Sequence, residues 1–226
     1  MAVWVLTGFM GCGKSSIGRA AAKMLGVGGM PPQEFASLTP PSLRDGPPAF
    51  VPRVARPSEA HHHASAAFID LDEEIVRRGG RSIPEIFSAE GEEAFRAIER
   101  DTLANLLFKA NSPKGNDPQP QLLIALGGGT LMSEECRELV KKNARCIYLR
   151  AKVETLAENL RADDVAGRPM LAGVDLTAPA EAPDSLESRI ASMMALRGPI
   201  YEKAADIILD IDGLSYEDVA QRVLNL

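Results

Sequence analysis

Hydrophobic positions along this chain alternate between two periods. Val3-Trp4-Val5-Leu6-Thr7 is a short apolar run that stops at Gly8, and it predicts a buried strand. From Ser15 the spacing becomes helical, with Ile17, Ala20, Ala21, Met24 and Leu25 on one stripe. Phe68-Ile69-Asp70-Leu71-Asp72 predicts a second strand ending in acids. Ser82-Ile83-Pro84-Glu85 has the form of a capping box with proline in the first turn. A helix from about Glu92 carries Phe95, Ile98, Leu103, Leu106 and Leu107 on one side. Leu122 to Leu126 is a fully apolar strand running into Gly127-Gly128-Gly129. Ser133 then caps a helix with Glu134 and Glu135 in its first turn and Lys141 and Lys142 in its last, matching the helix dipole. Cys146 to Leu149 (strand), Val153 to Leu160 (helix), Ser185 to Glu202 (helix), Asp206 to Leu209 (strand) and Ser215 to Leu224 (helix) complete the series.

Strand and helix alternate, and the strands are continuous apolar runs rather than alternating ones. That pattern predicts a parallel sheet, buried on both faces by helices, with ligands at the carboxyl ends of its strands. Three stretches interrupt it. Residues 26–66 are rich in proline, serine and alanine, hold all three histidines and keep no period, so they read as an insertion into one domain spanning 1–226. Asn111 to Gln121 is a loop, and a second polar, proline-containing stretch runs from Arg161 to about Asp184. The first helix, about 11 residues at ~1.5 Å each, carries the chain ~16 Å from its start. The insertion therefore belongs at the edge of the sheet opposite the ligand.

Composition narrows the classes. A 45% hydrophobic content suits a globular core, and no apolar run reaches the ~20 residues of a spanning helix. The N-terminus lacks a basic, cleavable leader, so the expectation is a cytoplasmic protein. Cys12, Cys136 and Cys146 have neither metal-ligand nor paired spacing and read as reduced thiols. His61-His62-His63 lack partner ligands and make a poor metal site. A net charge of −6 argues against nucleic acid, and it requires that any anionic substrate be gripped by a local cluster of cations.

Gly8-Phe9-Met10-Gly11-Cys12-Gly13-Lys14-Ser15 fits G-x-x-x-x-G-K-[ST] between a strand and a helix. Backbone N–H groups from Gly11, Cys12, Gly13, Lys14, Ser15 and Ser16 would face the phosphates of ATP, Lys14 would bridge them, and the Ser15 hydroxyl would ligate Mg²⁺. Asp70 and Asp72, two apart at a strand end, would point to the same side. One could serve Mg²⁺ and the other accept a proton, or Asp72 could simply cap the next helix. Arg96 has Glu92 four residues before it and reads equally as a surface ion pair. A helix carrying Arg197 should falter at Gly198-Pro199.

The chain resembles shikimate kinases in seven stretches, taken in order: GFMGCGKSSIGR (8–19), FIDLDEEI (68–75), GRSIPEIF (80–87), GEEAFRAIE (91–99), ALGGGT (125–130), GRPML (167–171) and RGPIY (197–201). The resemblance implies a P-loop nucleoside monophosphate kinase-like fold, a three-layer α/β/α sandwich around a central five-stranded parallel sheet. It implies ATP-dependent phosphorylation of shikimate by a monomer with neither nucleic-acid nor membrane partner. It gives Asp72 the substrate hydroxyls and a base role, Asp70 the Mg²⁺, and Arg96 and Arg197 the substrate carboxylate. Gly127, Gly128 and Gly129 become the turn against the substrate ring, and Glu99 an acid orienting Arg96. Arg168 falls on a mobile lid (161–184) over the phosphates, Arg161 over the adenine, and residues 72–110 supply substrate-binding helices. A gluconate or monophosphate kinase on the same scaffold, or a nucleotide-binding module without turnover, are the competing readings. The long insertion departs from the family pattern.

Overall fold

The computed structural model describes residues 3–25, 67–111, 122–162, 180, 182 and 185–226. The insertion, the triple histidine, the 112–121 loop and most of the 161–184 stretch, Arg168 included, lie outside them. Five strands form one sheet: β1 (Val3–Thr7), β2 (Ala67–Asp70), β3 (Leu122–Ala125), β4 (Arg145–Arg150) and β5 (Ile207–Asp210). Their order is β2-β3-β1-β4-β5, and every pair is parallel. The helices are α1 (Lys14–Met24), α2 (Leu71–Gly79), α3 (Ile83–Asn111), α4 (Glu134–Asn143), α5 (Val153–Ala162), α6 (Leu186–Ala204) and α7 (Tyr216–Leu224), with a 3₁₀ turn at Thr130–Met132. α1 packs on α7, whereas α3, α4 and α6 gather about the 3₁₀ turn, giving the expected layers of helix on either side of the sheet. No helix among the described residues is long and apolar enough to cross a membrane.

Burial follows strand position. In β3 all four residues are buried, and in β1 only Trp4 is not fully so. At the edge, β5 alternates, and Ile208 is 41% exposed. The expectation of strands buried on both faces therefore holds for the centre of the sheet and fails at the edge strand β5, beyond which no further strand pairs among the described residues. On α1 the expected stripe is buried at Ile17 and Ala21, while Met24 and Leu25 lie 42% and 40% exposed at its end.

Register brings the site together. Leu6 and Asp70 both lie beside Ala125, so β1, β2 and β3 finish level with one another. The Leu126 N–H then donates to the Leu6 carbonyl at 3.0 Å and carries the pairing one residue further. As a result the phosphate-loop residues after β1, the acids after β2 and the triple glycine after β3 leave the sheet at the same edge.

One boundary differs from the sequence reading, and one expected break does not occur. β2 stops at Asp70, which is extended (φ −89, ψ 123) and whose carboxylate accepts the N–H groups of Asp72 and Glu73, opening α2. Asp72 is thus in the first turn of a helix rather than at the end of a strand. In α3 the capping box forms, Ser82 N–H donating to Glu85 at 2.7 Å and Glu85 N–H to the Ser82 hydroxyl at 3.4 Å, and Gly91 (φ 83, ψ 176) divides the element into two helical pieces, so that the second starts near Glu92 as the sequence suggested. α6 does not falter at Gly198-Pro199. It runs on to Ala204, since proline removes only one N–H bond and buried Ile190, Met193 and Tyr201 hold the helix in place.

Candidate active site

The strand ends surround a cavity of about 590 Å³. Its wall contains the cations Lys14, Arg19, Arg96 and Arg197 and the acids Asp70, Asp72 and Glu99. On a chain of net charge −6, this is where positive charge is gathered locally.

One end is the phosphate loop. Gly11 (φ 81) and Gly13 (φ 79) adopt left-handed backbone that side chains resist, which lets the loop curl. They are also pressed from outside. A Cβ on Gly11 would stand 2.8 Å from Leu160 of α5, and one on Gly13 would stand 2.5 Å from the Tyr216 ring of α7. The Asn159 amide donates to the Gly11 carbonyl at 2.8 Å. α1 begins at this loop with no side-chain cap and no acid in its first turn, whereas α2, α4, α6 and α7 are capped by Asp70, Ser133, Ser185 and Ser215. The N–H groups at the start of α1 are therefore left for a ligand. Lys14 donates to the Gly8 and Phe9 carbonyls, each at 3.0 Å. Cys12 belongs to the loop by its backbone alone, because its side chain is fully buried behind it, 3.7 Å from the Lys14 ammonium.

The Ser15 hydroxyl donates to the Asp70 carboxylate, which also caps α2. A hydroxyl and one carboxylate, side by side at the phosphate end, form a hard oxygen donor set of the sort Mg²⁺ takes together with phosphate oxygens.

The other end is built from charged side chains. Glu99 is 1% exposed and accepts from the Thr130 hydroxyl at 2.6 Å and the Arg96 guanidinium at 2.9 Å. Arg96 also meets Glu92 at 3.1 Å, so the surface pair that the sequence suggested exists alongside the buried one. Glycine is required here by close approach: a Cβ on Gly127 would stand 2.8 Å from Asp72, and one on Gly129 would stand 2.8 Å from Arg96. Asp72 is largely withdrawn from water and flanked by Asp70 and Glu99, which together push its carboxyl up to about 6, against the opposing charges of Lys14 and Arg96. Arg197 stands over the Phe9 ring, 5.9 Å from its centre. Phe87 and Phe95, with ring centres 4.7 Å apart, join Ile83 and Pro84 in an apolar wall.

Of the residues expected from sequence, Gly11, Gly13, Lys14, Ser15, Ser16, Asp70, Asp72, Arg96, Gly127, Gly128, Gly129 and Arg197 all line this one cavity. Arg161 is not in its wall and forms an ion pair with Glu187 of α6 at 2.7 Å. Arg19, Phe87 and Tyr216 were not anticipated in the wall. Arg19 stands one helical turn after Ser15, which is a usable signal. Nothing local marks Tyr216, which is brought in only by the packing of α7 on α1.

A phosphate loop at the end of a parallel sheet, facing an acid- and arginine-lined pocket, defines a P-loop phosphotransferase with a small polar acceptor. The shikimate kinase family model matches residues 60–226, and the chain belongs to that family. It is 31% identical over 225 residues to a shikimate kinase of Chlorobaculum tepidum, covering 96% of this chain and 88% of that one. It is 32% identical over 221 residues to one of Salinibacter ruber, covering 98% and 82%. Among solved structures, the shikimate kinase of Aquifex aeolicus superposes with a TM-score of 0.61 at 26% identity, over 99% of this chain and 94% of that one. The fold is shared with the Acinetobacter baumannii shikimate kinase, solved in complex with shikimate (TM-score 0.67, 24% identity, 100% and 92% covered).

Proposed function

We propose that this chain transfers the terminal phosphoryl group of ATP to the 3-hydroxyl of shikimate, giving shikimate 3-phosphate and ADP. The observation that carries the reading is the division of one cavity into a phosphate end (Lys14, Ser15, Asp70) and an acceptor end (Asp72, Arg96, Arg197). The triphosphate lies along the N–H groups of Gly11 to Ser16, with Lys14 neutralising charge that builds on the transferring group. Arg96 and Arg197 bind the acceptor carboxylate, for which a guanidinium's paired donors are well shaped. Glu99 fixes Arg96 in place. Asp72 holds the acceptor hydroxyl and takes its proton as the new O–P bond forms and the bond to ADP breaks. A carboxylate raised to about 6 is a stronger base than an ordinary one yet is still ionised at neutral pH. Ser15 and Asp70 are the groups that would hold Mg²⁺, which when bound offsets phosphate charge. Phe87, Phe95 and Ile83 give the acceptor ring a dry face. Cys12, Cys136 and Cys146 are free and buried, in keeping with a reducing, cytoplasmic setting.

The test is a coupled ADP-release assay offering shikimate, quinate, gluconate and AMP to the purified chain. Turnover is expected with shikimate far above the others. Equal or greater turnover with gluconate or AMP would sink the assignment.

A further inference from the structure

Tyr201 is fully buried, and the mechanism above gives it no part. Its ring packs on Tyr148 with centres 5.3 Å apart, and its hydroxyl donates to the carbonyl of Gly128, the middle residue of the triple-glycine turn. Burial pushes the phenol well up, against the opposing positive charge of Arg197 beside it, so the group remains a neutral O–H donor at working pH. Arg197 is four residues earlier, on the same face of α6, and lines the cavity.

The turn needs such an anchor. Three successive glycines have no side chains to hold them and a wide choice of backbone states. The Gly127 carbonyl accepts from Thr130 N–H at 3.2 Å and the Gly129 carbonyl from Met132 N–H at 2.9 Å, both local bonds. The Gly128 carbonyl is tied instead to a different helix, 73 residues away in sequence. No described peptide bond is cis. In a trans peptide the Gly128 C=O and the Gly129 N–H point to opposite sides, so holding the oxygen at Tyr201 fixes the direction of that N–H. Gly129 is itself part of the cavity wall, and the Arg96 guanidinium lies 2.8 Å from where a Cβ on it would stand.

We infer that Tyr201 is a positioning residue for the acceptor: its hydroxyl locks the Gly128–Gly129 peptide and ties that turn to the helix carrying Arg197, setting the separation at which ring hydroxyls and carboxylate are held. The inference rests on the reading of this cavity as a shikimate site. The test is Tyr201→Phe in the full chain, which keeps the ring and removes the donor. KM for shikimate is expected to rise about tenfold, with kcat within about twofold and KM for ATP unchanged. Tyr148→Phe, which removes a neighbouring phenol from the same core, should leave KM for shikimate as it was. An unchanged KM for shikimate in folded Tyr201→Phe, a parallel rise in KM for ATP, or the same rise in Tyr148→Phe would each overturn the inference. Should Tyr201→Phe fail to melt cooperatively, 4-aminophenylalanine and 4-fluorophenylalanine at position 201 separate donor from volume. A normal KM with the amino group and a raised one with fluorine supports the role, and equal values refute it. A wild-type chain inert toward shikimate would overturn the proposed function and this inference together, whereas wild-type turnover with an unaffected variant overturns the inference alone.

Discussion

At the phosphate end of the cavity the working groups are mostly backbone, and they are enclosed by apolar neighbours: Leu160 presses on Gly11, Tyr216 on Gly13, and the buried Cys12 side chain backs the loop. At the end proposed for the acceptor the lining groups are side chains, and they form a charged network in which the buried Glu99 holds both Arg96 and Thr130. The first end is rigid because the backbone has little room to move. The second depends on each charge finding its partner, since a buried charge left unpaired is costly. The two ends should therefore respond differently to substitution: phosphate-end changes act on turnover, acceptor-end changes on substrate recognition.

The largest effect tests the phosphate end. Lys14→Ala is expected to lower kcat by about 10³-fold, as loss of a charge-stabilising donor does elsewhere. The melting temperature should scarcely change, because the recorded bonds of the Lys14 ammonium, to the Gly8 and Phe9 carbonyls and the Cys12 sulfur, all stay within its own loop. A variant with near-normal turnover in the ADP-release assay would remove the basis for the comparison.

Asp72→Asn sits where the two ends meet, and a fall in kcat of about 10²-fold is expected. Wild-type kcat/KM should rise with pH through about 6 and level off, and the variant should lose that limb. Stability gives an independent reading. A carboxyl whose folded pKa is raised from 3.8 to about 6 favours the folded state most below about pH 4, and that contribution is lost as pH rises through 6. The variant should therefore melt higher than wild type at pH 8 and show no such gain below pH 4.

Arg96→Ala sharpens the contrast from the acceptor side. KM for shikimate should rise at least about tenfold while nucleotide affinity, followed by direct titration, stays the same. Some loss of stability is expected too, because Glu99 would keep Thr130 and lose its cation. Equal damage to ATP and shikimate use would show that the two ends are not separable.

Smaller effects concern packing between the halves. Gly18 of α1 is buried against Phe68 of β2, and a Cβ there would stand 1.9 Å from the ring. Gly18→Ala is expected to cost about 1–3 kcal/mol, seen as a lower denaturation midpoint. Arg19→Ala removes an ion pair to Glu73 in which both side chains are over half exposed, and it should cost no more than about 1 kcal/mol.

Read alone, the sequence determined the α/β alternation, the phosphate loop with Lys14 and Ser15, the serine cap of α4 and the capping box of α3, because each is fixed by residues within a few positions of one another. It also supplied Asp72, Arg96, the triple glycine and Arg197 through their likeness to a family, although spacing alone left Asp72 open between cap and function and Arg96 open to a surface pair. Only the tertiary structure decided the rest. That Asp70 takes the cap and frees Asp72 depends on where β2 stops, and this is set by its register with β3. That Glu99 is a buried partner rather than one more helix acid depends on Thr130, 31 residues away. Tyr201 against Gly128 and Tyr216 against Gly13 likewise come from segments distant in sequence. Short-range order is written in local propensity and steric rules, whereas which distant groups share a desolvated space is settled only when the sheet aligns its strand ends.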